Sequence, residues 1–321
     1  MSDSSLWVRN LVSDWNHCHG AFYRLREGDL HWHLREQDWL SYFPLEIAGV
    51  PALCAEASEK GASQGISRKT LWLSCQGRIP PGREQAFADS LDRLAPSRGK
   101  SRLCLGGEEF HLIPGIPLPP DDGGLNAVAE GLGFTFADAV DYTGSLRSKD
   151  LLAYVSEAKA AAGELRLETV AGEAGLDELG AYLKREFAGR WEREFRFWRE
   201  HGGTKRAFWN VLRRGKEPCG FSRLAVRGSA EGGWLPGALR FPLSEGNGSV
   251  DFASDAALGP IGVSSSERGR GAGKVLLGLS LQLLLDKNAE RLCIDWTNAY
   301  NYYKPLGLQL VRKYRSALKD Y

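Results

Sequence analysis

The segment Pro260-Ile-Gly-Val-Ser-Ser-Ser-Glu-Arg-Gly-Arg-Gly-Ala-Gly-Lys-Val-Leu-Leu277 constrains this chain more than any other. The apolar run Asp255–Val263 predicts a strand, broken at Pro260, and the apolar stretch Gly271–Lys287 predicts a helix. Between them lie Gly269, Gly271 and Gly273, which let backbone N–H groups come close to an anion. The start of the helix adds a partial positive charge, and Arg268, Arg270 and Lys274 add full ones. A strand that feeds a helix through such a loop implies an α/β fold with a phosphate or pyrophosphate site.

Two familiar glycine loops fail on spacing. A Walker loop needs a glycine where Arg268 stands and Ser or Thr where Val275 stands. A dinucleotide fingerprint needs its third glycine later than Gly273. The pattern that remains, Arg/Gln-x-x-Gly-x-Gly/Ala, is met by Arg268, Gly271 and Gly273, and it resembles the acyl-CoA loop of the GNAT (GCN5-related) N-acyltransferases. About thirty residues on, Tyr302-Tyr-Lys-Pro-Leu-Gly-Leu308 is similar to that family's Phe-Tyr-x-x-Leu-Gly-Phe segment. The resemblance covers roughly Leu165–Tyr321, and the first half weakly.

The resemblance implies a tandem α/β chain of two GNAT-like domains, each a mixed, mostly antiparallel sheet flanked by helices. Acetyl-CoA is the implied co-substrate. Its pantetheine would pair with the backbone of Ile261, Gly262 and Val263, with Asn298 and Asn301 beside it. Its pyrophosphate would rest on the amides from Arg268 or Gly269 through Arg270, Gly271, Ala272, Gly273 and Lys274. Tyr303 would protonate the departing thiolate, since a phenol of pKa near 10 keeps its proton at pH 7. The attacking amine must lose a proton, and Asp295, at the end of the predicted strand Leu292–Trp296, is the first candidate base; Asp255 is the second. The implied activity is transfer of an acetyl group to an amine on a small molecule or peptide. The alternative is an acyl-CoA-binding sensor without turnover. Acceptor, acyl-chain preference and oligomeric state stay open.

The remaining pattern fits this frame. Strands are predicted at Leu165–Val170, Ala207–Leu212, Gly220–Val226 and Leu308–Tyr314, and helix at Leu176–His201 with a break at Gly189 and at Ala299–Lys304. Two seams rich in Gly or Pro stand out, Ile113–Gly124 and Gly228–Gly248. Glu130-Gly-Leu-Gly-Phe-Thr-Phe136 echoes Lys304-Pro-Leu-Gly-Leu-Gln-Leu310 and suggests two copies of one fold, residues 1–147 and 148–321. The first copy reads as degenerate. Its helix-opening stretch Gly77–Arg83 holds Pro80 and Pro81, which have no N–H to offer, and Ala129 stands where the second copy has Tyr303.

Composition narrows the classes. A length of 321 residues suits two domains, and a net charge of +1 gives no field to draw in nucleic acid or an anionic membrane. No apolar run reaches the roughly 18 residues of a span, and the N-terminus has no signal-peptide pattern, so a cytoplasmic protein is expected. The six cysteines form no CxxC pair. His17-Cys-His19 and His31-Trp-His33 would share faces if they were strands, but no acidic or cysteine framework accompanies them, and no metal is expected. Phe187, Trp191, Phe195 and Trp198 form a helical stripe that suits core packing or the wall of an acceptor site, with Arg190, Glu192, Arg193, Glu194 and Arg196 on a solvated face.

Overall fold

The computed structural model describes residues 4–19, 38–107, 115–118, 124–200, 208–226 and 256–321. Candidate base Asp255, the seam Gly228–Gly248 and the pair His31 and His33 lie outside them. The described chain forms two compact units, one of the residues through Val140 together with Arg312–Tyr321, the other from Asp141 through Val311. The sequence alone suggests a cut at residue 147 with the C-terminus in the second domain. The structure returns the last residues to the first unit because Ala317–Asp320 pair with Leu105–Arg102, a long-range match that no local pattern reveals.

The first unit opens with helix α1 (Ser4–His19), strands β1 (Leu40–Ile47) and β2 (Val50–Ala57), and the short helix α2 (Glu59–Ser63). Strand β3 (Thr70–Gln76), helix α3 (Glu84–Ser97) and strand β4 (Arg102–Leu105) follow, then β5 (Ile116–Leu118), α4 (Leu125–Gly131) and the start of β6 (Thr135–Ser145). β1, β2 and β3 pair antiparallel, whereas β3 and β4 run parallel with α3 as the crossover. Phe87, Leu91 and Ala95 recur at four-residue spacing on α3 and bury completely against Leu71, Leu73, Leu103 and Leu105. His17 lies on the helix α1 rather than on a strand.

The second unit takes the end of β6, helix α5 (Lys149–Ala160), β7 (Leu165–Thr169), α6 (Gly172–Glu186) and α7 (Arg190–Glu200). It continues with β8 (Phe208–Arg214), β9 (Glu217–Val226), β10 (Ala256–Val263), α8 (Ala272–Asp286), β11 (Arg291–Thr297), the single turn α9 (Tyr300–Tyr303) and the start of β12 (Gln309–Asp320). β7 through β10 are antiparallel neighbours, and β10 and β11 run parallel around α8. Gly189, at φ 121°, separates α6 from α7 where the sequence places its break. α8 is apolar on most sides because α5 covers one of them and the sheet another, with Leu276, Leu277, Leu281 and Leu284 all at 0% exposure. Each such leucine contributes about 1.5–3 kcal/mol of burial. The two helices touch so closely that a Cβ on Gly278 would lie 2.1 Å from that of Ala158.

Among the described residues no helix is long and apolar enough to cross a membrane, and no cluster of metal-ligating side chains forms. Cys54, Cys75, Cys219 and Cys293 are buried and form no disulfide, and burial pushes Cys54 up to about 12.

Candidate active site

β10 and β11 pair only at Ala256 with Leu292 and at Ala257 with Cys293. Beyond that rung the two strands part. Ile261, Gly262 and Val263 keep Ser222, Phe221 and Gly220 of β9 on one edge, after a register shift at Leu258–Ile261 where Pro260 has no N–H for the ladder. Among the described residues their other edge has no strand beside it. A cleft of about 240 Å³ runs there, lined by Ile261, Gly262, Val263, Arg268 and Gly273, and walled by Phe187, Trp191 and Tyr302.

The glycine loop turns at Gly269 (φ 75°) and Gly271 (φ 82°), left-handed conformations that cost an L side chain about 1–2 kcal/mol. Hydrogen bonding along α8 begins at Val275 N–H to Gly271 O, so the amides of Ala272, Gly273 and Lys274 have no acceptor within the helix. The amides of Arg268 and Arg270 are spent inside the loop, on Ser265 O and Glu267 O, each at 3.3 Å. The Lys274 ammonium is also engaged, 2.7 Å from Glu157 on α5 and over the Tyr154 ring. The Lys274 ammonium is thus turned toward Glu157, and Arg268 is the basic side chain lining the cleft.

Three side chains that sequence reasoning missed fasten this loop. The buried Tyr182 hydroxyl meets Ser264 Oγ at 2.8 Å at its start. Arg214 donates from Nε (3.1 Å) and Nη2 (2.8 Å) to Glu267 in its middle, and this pairing holds the buried Glu267 carboxyl below its usual pKa. Tyr302 donates its hydroxyl to Gly273 O at 2.7 Å. Tyr182 and Arg214 stand on α6 and β8, too far along the chain for any spacing rule to link them to the loop. Because the loop is held from three sides, its geometry should matter more than any one exposed charge. Gly271→Ala is expected to weaken acetyl-CoA binding about tenfold as the loop leaves its left-handed turn, and Arg270→Ala only a few-fold, since exposed charges are screened. Calorimetry on both variants checks the order.

Tyr303 is 5% exposed, its ring packed among Leu258, Ile294 and Leu306, with Tyr302 at 4.9 Å and Tyr142 at 6.5 Å. Burial, then the Asp295 carboxylate, push its phenol above the usual 10, so it holds its proton. Asp295 is half-buried against bare backbone, its Oδ1 3.7 Å from where a Cβ on Gly259 would stand. Burial, with Asp141 adding to it, pushes Asp295 up to about 6 while Arg223 pulls the other way. Tyr302 lines the cleft, and Asn298 and Asn301 are exposed and outside the cleft lining.

The aromatic stripe divides by position. Phe195 and Trp198 are buried beside Trp209, at 5.2 and 5.3 Å, while Phe187 and Trp191 wall the cleft. The charged face is less solvated than expected. Arg190 pairs with Glu194 and Arg196 with Glu192, both at 2.6 Å, with the two glutamates only 14% and 13% exposed.

No protein-family model matches the chain, and no curated protein matches its sequence. Solved structures do. A GCN5-related glucosamine N-acetyltransferase region in a fungal multi-domain GH3 β-N-acetylglucosaminidase aligns over 99% of this chain at 16% identity with a TM-score of 0.69, and this chain spans 37% of that protein. A tandem GNAT protein from the clavulanic acid biosynthesis pathway aligns over 97% of this chain and 95% of its own, at 14% identity and TM-score 0.57. With the parted parallel strands, the glycine loop and the helix behind it, the chain has the fold of the GCN5-related N-acetyltransferases.

Proposed function

We propose that this chain is an acyl-CoA-dependent N-acyltransferase that moves an acetyl group from acetyl-CoA to an amine. The parting of β10 from β11, beside a helix start whose first three amides have no acceptor within the helix, is the observation that carries the reading. The residues fit the co-substrate. The amides of Ala272, Gly273 and Lys274 would take its pyrophosphate, and the free edge of Ile261–Val263 its pantetheine amides. Bound there, acetyl-CoA supplies an activated thioester carbonyl.

The chain's own groups then handle protons. An ammonium loses two protons on its way to an amide. Asp295 accepts one as the N–C bond forms and hands it on to water. Tyr303 donates its proton to sulfur as the C–S bond breaks, and regains one from the nitrogen through the Asp295 side of the opening. Products are the N-acetyl amine and the free thiol. Thiol release from acetyl-CoA with a panel of amines tests this; tight binding with no release on any amine would favour the sensor reading.

One acetyl-CoA per chain is expected. In the first unit α3 opens with Glu84, an anion where a phosphate would need a cation, and Pro80 and Pro81 precede it. Its parallel strands stay paired from Thr70–Arg102 through Leu73–Leu105. Two bound molecules per chain in calorimetry would contradict this.

A further inference from the structure

We infer that Trp296 and Asp141 are positioning residues for acetyl transfer: Asp141 holds Trp296 in a left-handed turn, and that turn aims the Asp295 carboxylate into the opening between β10 and β11. This deepens the acyltransferase reading and rests on it. Along β11, Leu292 and Ile294 face the leucines of α8, whereas Cys293 packs with Ala225 and Ala257 on the other face. Ala257 and Cys293 form the last rung of the parallel pair, so Gly259 and Asp295 come next on that face. Asp295 Oδ1 lies 3.7 Å from where a Cβ on Gly259 would be, so the carboxylate leans over bare backbone where the strands part.

Both strands leave extended geometry there. Gly259 has φ 149° and Trp296 has φ 42°. Glycine takes positive φ freely, whereas a tryptophan rarely does and needs surroundings that hold it. Here the backbone and the ring are held separately. The Trp296 N–H donates to Asp141 Oδ1 at 2.8 Å, and Asp141, on β6, is 3% exposed, so a carboxylate takes this bond away from solvent. The Arg190 guanidinium of α7 lies 3.9 Å over the ring and is itself fixed to Glu194 at 2.6 Å.

The turn lies between the two groups that handle protons. Asp295 directly precedes it, and only Thr297, Asn298 and Ala299 separate it from α9, which carries Tyr303. In that link the Ala299 N–H donates to Thr297 Oγ1 at 3.0 Å, which closes a second turn. A left-handed residue inside a strand re-aims the side chains beside it, as bulges next to active sites do. With Trp296 extended, β11 would run straight on and the Asp295 carboxylate would leave its place over Gly259.

The test compares Trp296→Gly with Trp296→Val on the full chain. Both lose the ring, but glycine accepts positive φ and a β-branched residue resists it. Trp296→Val is expected to lose about 10²-fold in kcat, the cost of displacing a reacting group by about 1 Å, and Trp296→Gly only a few-fold. Acetyl-CoA affinity by calorimetry should hold in both, since the glycine loop is untouched. Carbon NMR of the Asp295 carboxyl, assigned against Asp295→Asn, reads its placement without turnover. A midpoint near 6 is expected in Trp296→Gly, and a fall toward 3.8 in Trp296→Val as the group reaches water. Besides burial, Asp141, Arg223 and Glu194 act on that carboxyl, and neither variant alters them. Equal midpoints in the two variants overturn the inference, as do equal rates where the parent is active. If Trp296→Val does not fold, a second pair decides. Asp141→Ala should slow the chain about 10²-fold, and Asp141→Asn, which keeps an acceptor oxygen, should restore most of the rate; equal rates in this pair overturn the inference. A carboxyl that follows the turn in a chain that acetylates no amine keeps the placement and removes the acyltransferase reading.

Discussion

Tyr303→Phe is expected to bind acetyl-CoA as the parent does and to lose about 10²–10⁴-fold in turnover, the usual worth of a positioned general acid. The ring packs among Leu258, Ile294 and Leu306 and stays in place, so only the hydroxyl is lost. Tyr302→Phe is the control, and its expected pattern is the reverse. Its hydroxyl donates to Gly273 O in the first turn of the cofactor helix, so its loss should loosen the loop and weaken acetyl-CoA binding a few-fold, with kcat kept. Steady-state kinetics with calorimetry on both variants separates binding from rate. Equal losses of kcat in the two would assign the effect to packing, and an unchanged kcat in Tyr303→Phe would leave thiolate protonation to water.

Asp295→Asn is expected to trade activity for stability. With its carboxyl pushed up to about 6, Asp295 is an available base above that pH and a neutral acid below it. The parent's kcat/KM should therefore fall on the acid side with a limb near pH 6, and the variant should be slow throughout and lack that limb. Stability runs the other way. The folded state holds this proton up to about pH 6, whereas an unfolded aspartate releases it near 3.8. The protonated group's contribution is thus fully present below about 3.8 and is lost as pH rises through 6. Asparagine carries no charge to lose, so the variant's Tm should exceed the parent's at pH 8, with the gap narrowing as pH falls through 6. A parent profile flat across pH 6 would release Asp295 from the role of base.

The strand–loop–helix unit at Pro260–Leu277 was legible because each part of it is local. Glycines that must take positive φ, an apolar stretch long enough for α8, and Pro260 where pairing breaks are properties of neighbouring residues. The break at Gly189 and the strands from β7 to β11 were legible for the same reason. The orientation of Tyr302 was not. Two adjacent tyrosines on one turn point about 100° apart, but which of them faces the cleft depends on how that turn sits on β11 and α8.

By itself the sequence determined the α/β class, the glycine-rich anion loop, the Tyr302-Tyr-Lys-Pro-Leu-Gly-Leu308 segment and the contrast with a first half that lacks both. Periodicity, glycine placement and proline's missing donor act over a few residues, and a linear reading sees them. Only the tertiary structure decided the rest. It took the chain's last residues into the first unit, tied Tyr182 and Arg214 to a loop some fifty to eighty positions away, and turned Lys274 toward Glu157. It also set Asp141 against the backbone of Trp296, 155 positions along the chain. Such pairings are set by sheet register and helix docking, and their energies depend on burial, which no residue carries in its own neighbourhood of the chain.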